Sequence, residues 1–179
     1  MSALRAMTGE PMLLRTDTQI PTEMFDFGSF RPDELEEVPQ AYVLDPDVLP
    51  DLSHVIDLLR AHGIDLEILD EPRDVQAVEF FRIDSVDTSA REYQGHFAQE
   101  VFGAYDHLDE ATLESGSVVI PMDQPLARVA FKLLEPRSDD GLVAWGLLKD
   151  SLTPGAPYPI LRVMSEPEDP AFSARVSVG

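Results

Sequence analysis

The chain has 179 residues, 44% of them hydrophobic, and no cysteine, with 34 acidic residues against 13 basic ones for a formal net charge of −21. Length and hydrophobic content favour one folded domain over wholesale disorder, and the missing cysteines exclude disulfides, thiolate metal sites and cysteine nucleophiles. Lys132 and Lys149 are the only lysines, and so acidic a surface repels nucleic acid and anionic lipid.

Residues 1–10 read as a loose N-terminus and Pro11–Arg15 as a short strand. Ile20–Phe30 reads as an extended segment with Phe25, Phe27 and Phe30 on one face. Residues 31–40 read as a solvated connector. Ala41–Leu44 is a predicted strand ended by Asp45-Pro46. A helix is predicted over 51–62, capped by Asp51. Leu52, Val55, Ile56 and Leu59 form its apolar stripe, and Gly63 stops it. Ile64–Leu69 alternates as a strand, so strand, helix and strand together have the size of a βαβ-like unit.

Val75–Val86 and Tyr93–Tyr105 are predicted strands, the second with Tyr93, Gly95 and Phe97 on one face. A turn at Glu114–Gly116 leads to a strand ending at Ile120. Pro125 is expected at the first position of a second helix, 125–135, with Asp123 or Gln124 near its cap and Pro136 as its stop. Leu126, Val129, Ala130 and Leu133 give that helix its stripe. Ser138–Gly141 is turn chemistry, residues 153–159 a loop, and Ile160–Met164 a final short strand. The tail, 165–179, reads as frayed. The fold class expected is α+β: a mixed, mainly antiparallel sheet of about six to eight strands with two short amphipathic helices packed on it. Residues 11–164 form the single expected domain.

Candidate chemistry is sparse. His54 and Asp57 have His-x-x-acid spacing on one helix face, but no third ligand is placed by the sequence. His96 and Glu100 share a predicted strand face, and His107 falls in a predicted turn at Asp106–Asp109; both histidines read as surface residues. Asp45, Asp47 and Asp51 lack the glycine and terminal glutamate of a calcium loop. No Gly-x-Ser-x-Gly, phosphate loop or dinucleotide fingerprint is present. Asp123, Gln124 and Arg128 read as cap, turn and surface. Trp145, the only tryptophan, lies among Leu142, Val143, Leu147 and Leu148. Trp145, Leu142 and Leu147 are the candidate interface or binding residues.

Several stretches resemble the region that follows the peptidase domain in bacterial zinc carboxypeptidases. They are Val118-Val119-Ile120-Pro121-Met122-Asp123-Gln124-Pro125-Leu126-Ala127-Arg128, Leu133–Pro136, Ser138–Trp145 and Tyr158–Val163. Phe25–Phe30, Pro39–Leu44 and Leu59–Ile64 fit the same region, so the resemblance spans about residues 11–164. It departs after Trp145, where an aromatic-rich segment is usual and Gly146-Leu147-Leu148-Lys149 stands here. The resemblance implies a non-catalytic accessory domain for domain packing or substrate access. Its zinc and catalytic groups would lie in the peptidase domain, with no cofactor in this chain. The partners implied are a peptidase domain in cis or trans, or a second copy of the chain, with no nucleic acid and no membrane insertion. A free-standing peptide- or glycan-binding module using Trp145 is the alternative, and a hydrolase using the chemistry in an unrecognised way is a third.

No run reaches the ~18 apolar residues that span a bilayer. Met1–Thr8 lacks the apolar core of a signal peptide. That leaves a cytoplasmic protein or a piece cut from a longer one, which would be extracytoplasmic if the longer one is an exported peptidase. A halophilic source is one expectation for such acidity, because high salt screens self-repulsion.

Overall fold

A computed structural model describes residues 17, 18, 21, 23 and 35–164. The expected strand at 11–15, the extended segment at 20–30, and the loose ends at 1–10 and 165–179 lie wholly or largely outside these residues. The chain divides into a unit Met1–Glu36 and a unit Glu37–Gly179; the fold below is that of the second.

Its elements run β1 (Ala41–Leu44), α1 (Leu49–Ala61), β2 (Glu67–Ile68), β3 (Arg73–Tyr93), β4 (His96–Leu113), β5 (Val118–Pro121), α2 (Ala127–Leu134) and β6 (Leu161–Val163). The strands make one sheet in the order β2-β5-β1-β6-β3-β4, every pairing antiparallel. The expected α+β class holds. β1 and β2 both run antiparallel to β5, so they are parallel to one another with β5 between them. The βαβ-sized unit is therefore a split one. Three-residue β6 lies between β1 and β3, which places a late segment of the chain in the middle of the sheet.

Alternation along β1 sends Tyr42 and Leu44 to one face and Ala41 and Val43 to the other. The first face packs with Leu52, Val55, Ile56 and Leu59 of α1 and Ala130 and Leu134 of α2. The second carries Val75, Val78, Val119 and Val163, all buried. Burying a Val or Leu side chain contributes about 1.5–3 kcal/mol, so the predicted stripe of α1 is its main hold on the sheet.

Four local readings differ in the structure. Asp51 does not cap α1: Val48 occupies that position, and Asp51 sits in the first turn. Pro50, with φ preset for a first turn, lets the helix begin earlier. The stop is as read: Gly63 adopts φ 77°, Gly63 N–H donates to Arg60 O, and Ile64 N–H donates to Leu59 O at 3.0 Å. Pro125 precedes α2 instead of opening it, since Leu126 is the cap residue. Gln124 cannot cap because its side chain is engaged elsewhere. Its Oε1 accepts from Asp65 N–H at 2.8 Å, and its Nε2 donates to Pro121 O and Asp65 O.

Tyr93–Tyr105 is not one continuous strand: β3 ends at Tyr93 and β4 begins at His96. Gln94 and Gly95 have φ 51° and 87° and form a two-residue turn between β3 and β4. Positive φ at both positions gives the twist that hairpins favour. His107, expected in a turn, pairs with Glu79 inside β4, where the partner strand holds a polar run extended. The β3 strand carries extra residues between Ile83 and Ser85 and between Thr88 and Glu92. Such bulges increase local twist in the hairpin.

Candidate functional site

Two places concentrate polar or aromatic chemistry. The first lies on the helix-covered face, buried at Tyr42, Arg162 and Glu135 and reaching the surface at His107. The register sets Tyr42 beside Arg162, Arg162 beside Glu79, and Glu79 beside His107, one row across four strands. Glu135 approaches from the end of α2. Pro136 disfavours the helical conformation in the residue before it; Glu135 accordingly is extended, with ψ 129°. It is 4% exposed and Arg162 is 2% exposed. The Tyr42 hydroxyl donates to Glu135 Oε1. The Tyr105 hydroxyl donates to Oε2 at 2.7 Å, and Arg162 Nη1 donates to Oε2 at 3.4 Å. Arg162 Nε lies 3.4 Å from Glu79 Oε2, Arg162 Nη2 donates to Glu37 O, and the guanidinium sits 4.2 Å from the centre of the Tyr105 ring.

Burial, followed by the Glu135 charge, raises the Tyr42 and Tyr105 pKa values far above the ordinary phenol range. Burial likewise raises that of Tyr158, whose hydroxyl donates to Leu134 O at 3.1 Å. Burial opposes the charge on Arg162, but hydrogen bonding with Tyr105 and the charges of Glu135 and Glu79 carry its pKa upward overall. A buried ion pair held by this many hydrogen bonds keeps its charges. Phenols whose ionisation is suppressed serve as donors, not as bases. The arrangement positions β1, β6, β3 and α2 relative to one another.

The second place is the turn end of the β3–β4 hairpin. There the His96 ring stacks on Trp145 with centroids 4.4 Å apart, and Tyr93 meets His96 edge-on at 6.2 Å. Trp145 Nε1 donates to Asp140 Oδ1 at 2.6 Å, which fixes the indole from the turn below α2. Gly146 backs onto β4, because a Cβ there would lie 3.4 Å from Phe97 O. Trp145 is 39%, Leu147 41%, Phe97 49% and Tyr93 63% exposed. Next to them a concavity of about 490 Å³ runs between the hairpin and the turn after α2, with Asp87, Gln99, Glu100, Ser138, Asp139 and Ala144 in its lining.

Of the expected binding residues, Trp145 and Leu147 thus stand at the surface. Leu142 is fully buried, its N–H donating to Leu133 O, and it belongs to the core. His54 and Asp57 do not act together: His54 Nε2 donates to Leu147 O at 2.7 Å, and Asp57 faces Arg60 at 3.8 Å. Among the described residues no group of three or more His, Cys, Asp or Glu converges as metal ligands would. Asp123 and Arg128 are exposed. Neither Glu135 nor His96 was read from the sequence as an organising residue. The Glu-Pro pair after an amphipathic helix was the one available signal for Glu135.

Comparison with protein-family models, with curated proteins and with solved structures finds no match. At the level of class, this is an α+β unit with a buried polar cluster around Glu135 and Arg162 and an exposed aromatic hairpin end. No helix among the described residues is long and apolar enough to cross a membrane.

Proposed function

We propose that this chain is a non-catalytic accessory domain, akin to the region that follows the peptidase domain in zinc carboxypeptidases, and that it works by packing against such a domain or shaping access to it. One observation carries the reading: the aromatic end of the hairpin is exposed yet held in place by ring stacking and by the Trp145–Asp140 hydrogen bond. Rigid exposed aromatics are typical anchors of protein contacts, since little side-chain freedom is left to lose on docking. The sequence resemblance supplies the partner class. The test pairs zinc analysis after dialysis with an assay for release of C-terminal residues from peptides. The chain alone is expected to hold no stoichiometric zinc and to release nothing; zinc retention together with hydrolysis overturns the reading.

A free-standing peptide- or glycan-binding module is the second reading, favoured by the concavity beside Trp145. Saturable quenching of Trp145 fluorescence by a cell-wall glycan, with no association to a carboxypeptidase catalytic domain, would select it.

A further inference from the structure

The hairpin places Asp87 directly opposite Glu100. Theirs is the only like-charge pair in the β3–β4 ladder among the described residues, and like charges in that position oppose pairing. Both carboxylates line the concavity next to Trp145, as does Asp139. Asp139 has its pKa lowered chiefly by its hydrogen bond with Lys132. Arg137 also lines the concavity and Lys132 offsets Asp139, so three acids there meet two cations, and the acidic excess lies with Asp87 and Glu100.

Two more groups there accept hydrogen bonds. Gln99 Oε1 and Ser138 Oγ are buried atoms with no hydrogen-bond partner among the described residues. Gln99 Nε2 is already spent on Thr88 Oγ1 at 3.3 Å, which leaves the acceptor end of the amide over. A buried acceptor without a donor costs about 1–3 kcal/mol. The exposed faces alongside are aromatic, and aromatic faces attract guanidinium and ammonium groups.

We propose that this groove receives a basic, extended segment of a partner polypeptide. Its arginine or lysine side chains would be placed between Asp87 and Glu100 and against Trp145, with its donors on Gln99 Oε1 and Ser138 Oγ. The inference rests on the reading of the hairpin end as a docking surface and adds the chemistry of what docks. Charge complementarity favours this occupant: repulsion between Asp87 and Glu100, idle acceptors and a net charge of −21 all select against an acidic segment or a second copy of this chain. A neutral glycan would satisfy the acceptors and leave the repulsion in place.

The single tryptophan reports on the site. A short peptide of alternating arginine and serine, its glutamate counterpart and a neutral glycan are titrated at physiological ionic strength while Trp145 emission is followed. Thermal melts are recorded on the free variants. The arginine peptide is expected to give a saturable shift. Asp87→Asn and Glu100→Gln should each weaken it about tenfold while raising the melting temperature by about 1–3 °C. A residue with a purely structural role would not move the two readouts in opposite senses. Asp47→Asn, in the acidic turn after β1, should change the affinity less than about twofold. The inference is overturned by a flat titration, by equal weakening in Asp47→Asn, by melting temperatures that fall in Asp87→Asn and Glu100→Gln, or by the glycan giving the shift in place of the peptide. Zinc-dependent hydrolysis by this chain, scored separately, overturns the accessory-domain reading. A flat titration on a chain without hydrolysis overturns this inference alone.

Discussion

Removing the Glu135 carboxylate takes one carboxylate partner from buried Arg162 and the acceptor from Tyr42 and Tyr105. Breaking a buried pair from one side costs about 3–5 kcal/mol. Glu135→Ala is therefore expected to lose that much in urea denaturation, and Tyr42→Phe, which removes one hydroxyl, about 1–2 kcal/mol. Equal losses from both substitutions would contradict the order. The same row sets an alkaline limit. Burial raises the pKa values of Tyr42, Tyr105 and Tyr158, so each keeps its proton in the folded chain where the unfolded chain ionises, near pH 10. The stability this gives is fully present below about pH 10 and is lost as pH rises from there towards the folded values. In a Tyr93→Phe background, which leaves only these three of the four tyrosines, tyrosinate absorbance should grow together with loss of far-UV circular dichroism. Ionisation with the dichroism intact would refute the linkage. None of this is legible in the sequence, because the contacts to Glu135 span 93, 30 and 27 positions and no local pattern brings them together.

The long hairpin ties its register to a few backbone positions. Gln94 holds φ 51°, a left-handed conformation that asparagine tolerates better than glutamine. Gln94→Asn is expected to stabilise by about 0.5–1 kcal/mol. Gly95, at φ 87°, has open space around the position of a Cβ, whereas a Cβ on Gly103 would lie 1.9 Å from Arg82 O. Gly95→Ala should therefore cost about 1 kcal/mol from backbone strain, and Gly103→Ala more, because it must push β3 and β4 apart. Urea midpoints of the two variants check the ranking. The arms of this hairpin were readable from their Val, Phe and Ile content, and so was the buried stripe of α1. The turn was not: Gln-Gly lacks the usual asparagine or aspartate, and the alternation of Tyr93, Gly95 and Phe97 continues through it as if no bend were there. Trp145 and Leu147 were legible as candidate contacts. Their partner His96 was not, since ring stacking between β4 and the turn after α2 has no signature along the chain.

At the scale of the molecule, a net charge of −21 makes the folded state repel itself, and added salt shortens the reach of that repulsion from ~10 Å at 0.1 M to ~3 Å at 1 M. The melting temperature should climb with KCl over that range; a flat or falling curve would show that the repulsion is not limiting. Backbone pairing divides the sheet into β2-β5-β1 on one side and β3-β4 on the other, with Leu161–Val163 between them. Residues 155–158 extend the join through hydrogen bonds to Phe81 and Ile83. A ribosome delivers this joining segment after both halves have been synthesised. Until it emerges, β1 and β3 each present an open edge towards the other, and Glu79 and Tyr42 lack the arginine that lies between them. A nascent chain stalled before residue 155 should be open to proteases that spare the completed unit, and one stalled far enough beyond Met164 to free that residue from the exit tunnel should not.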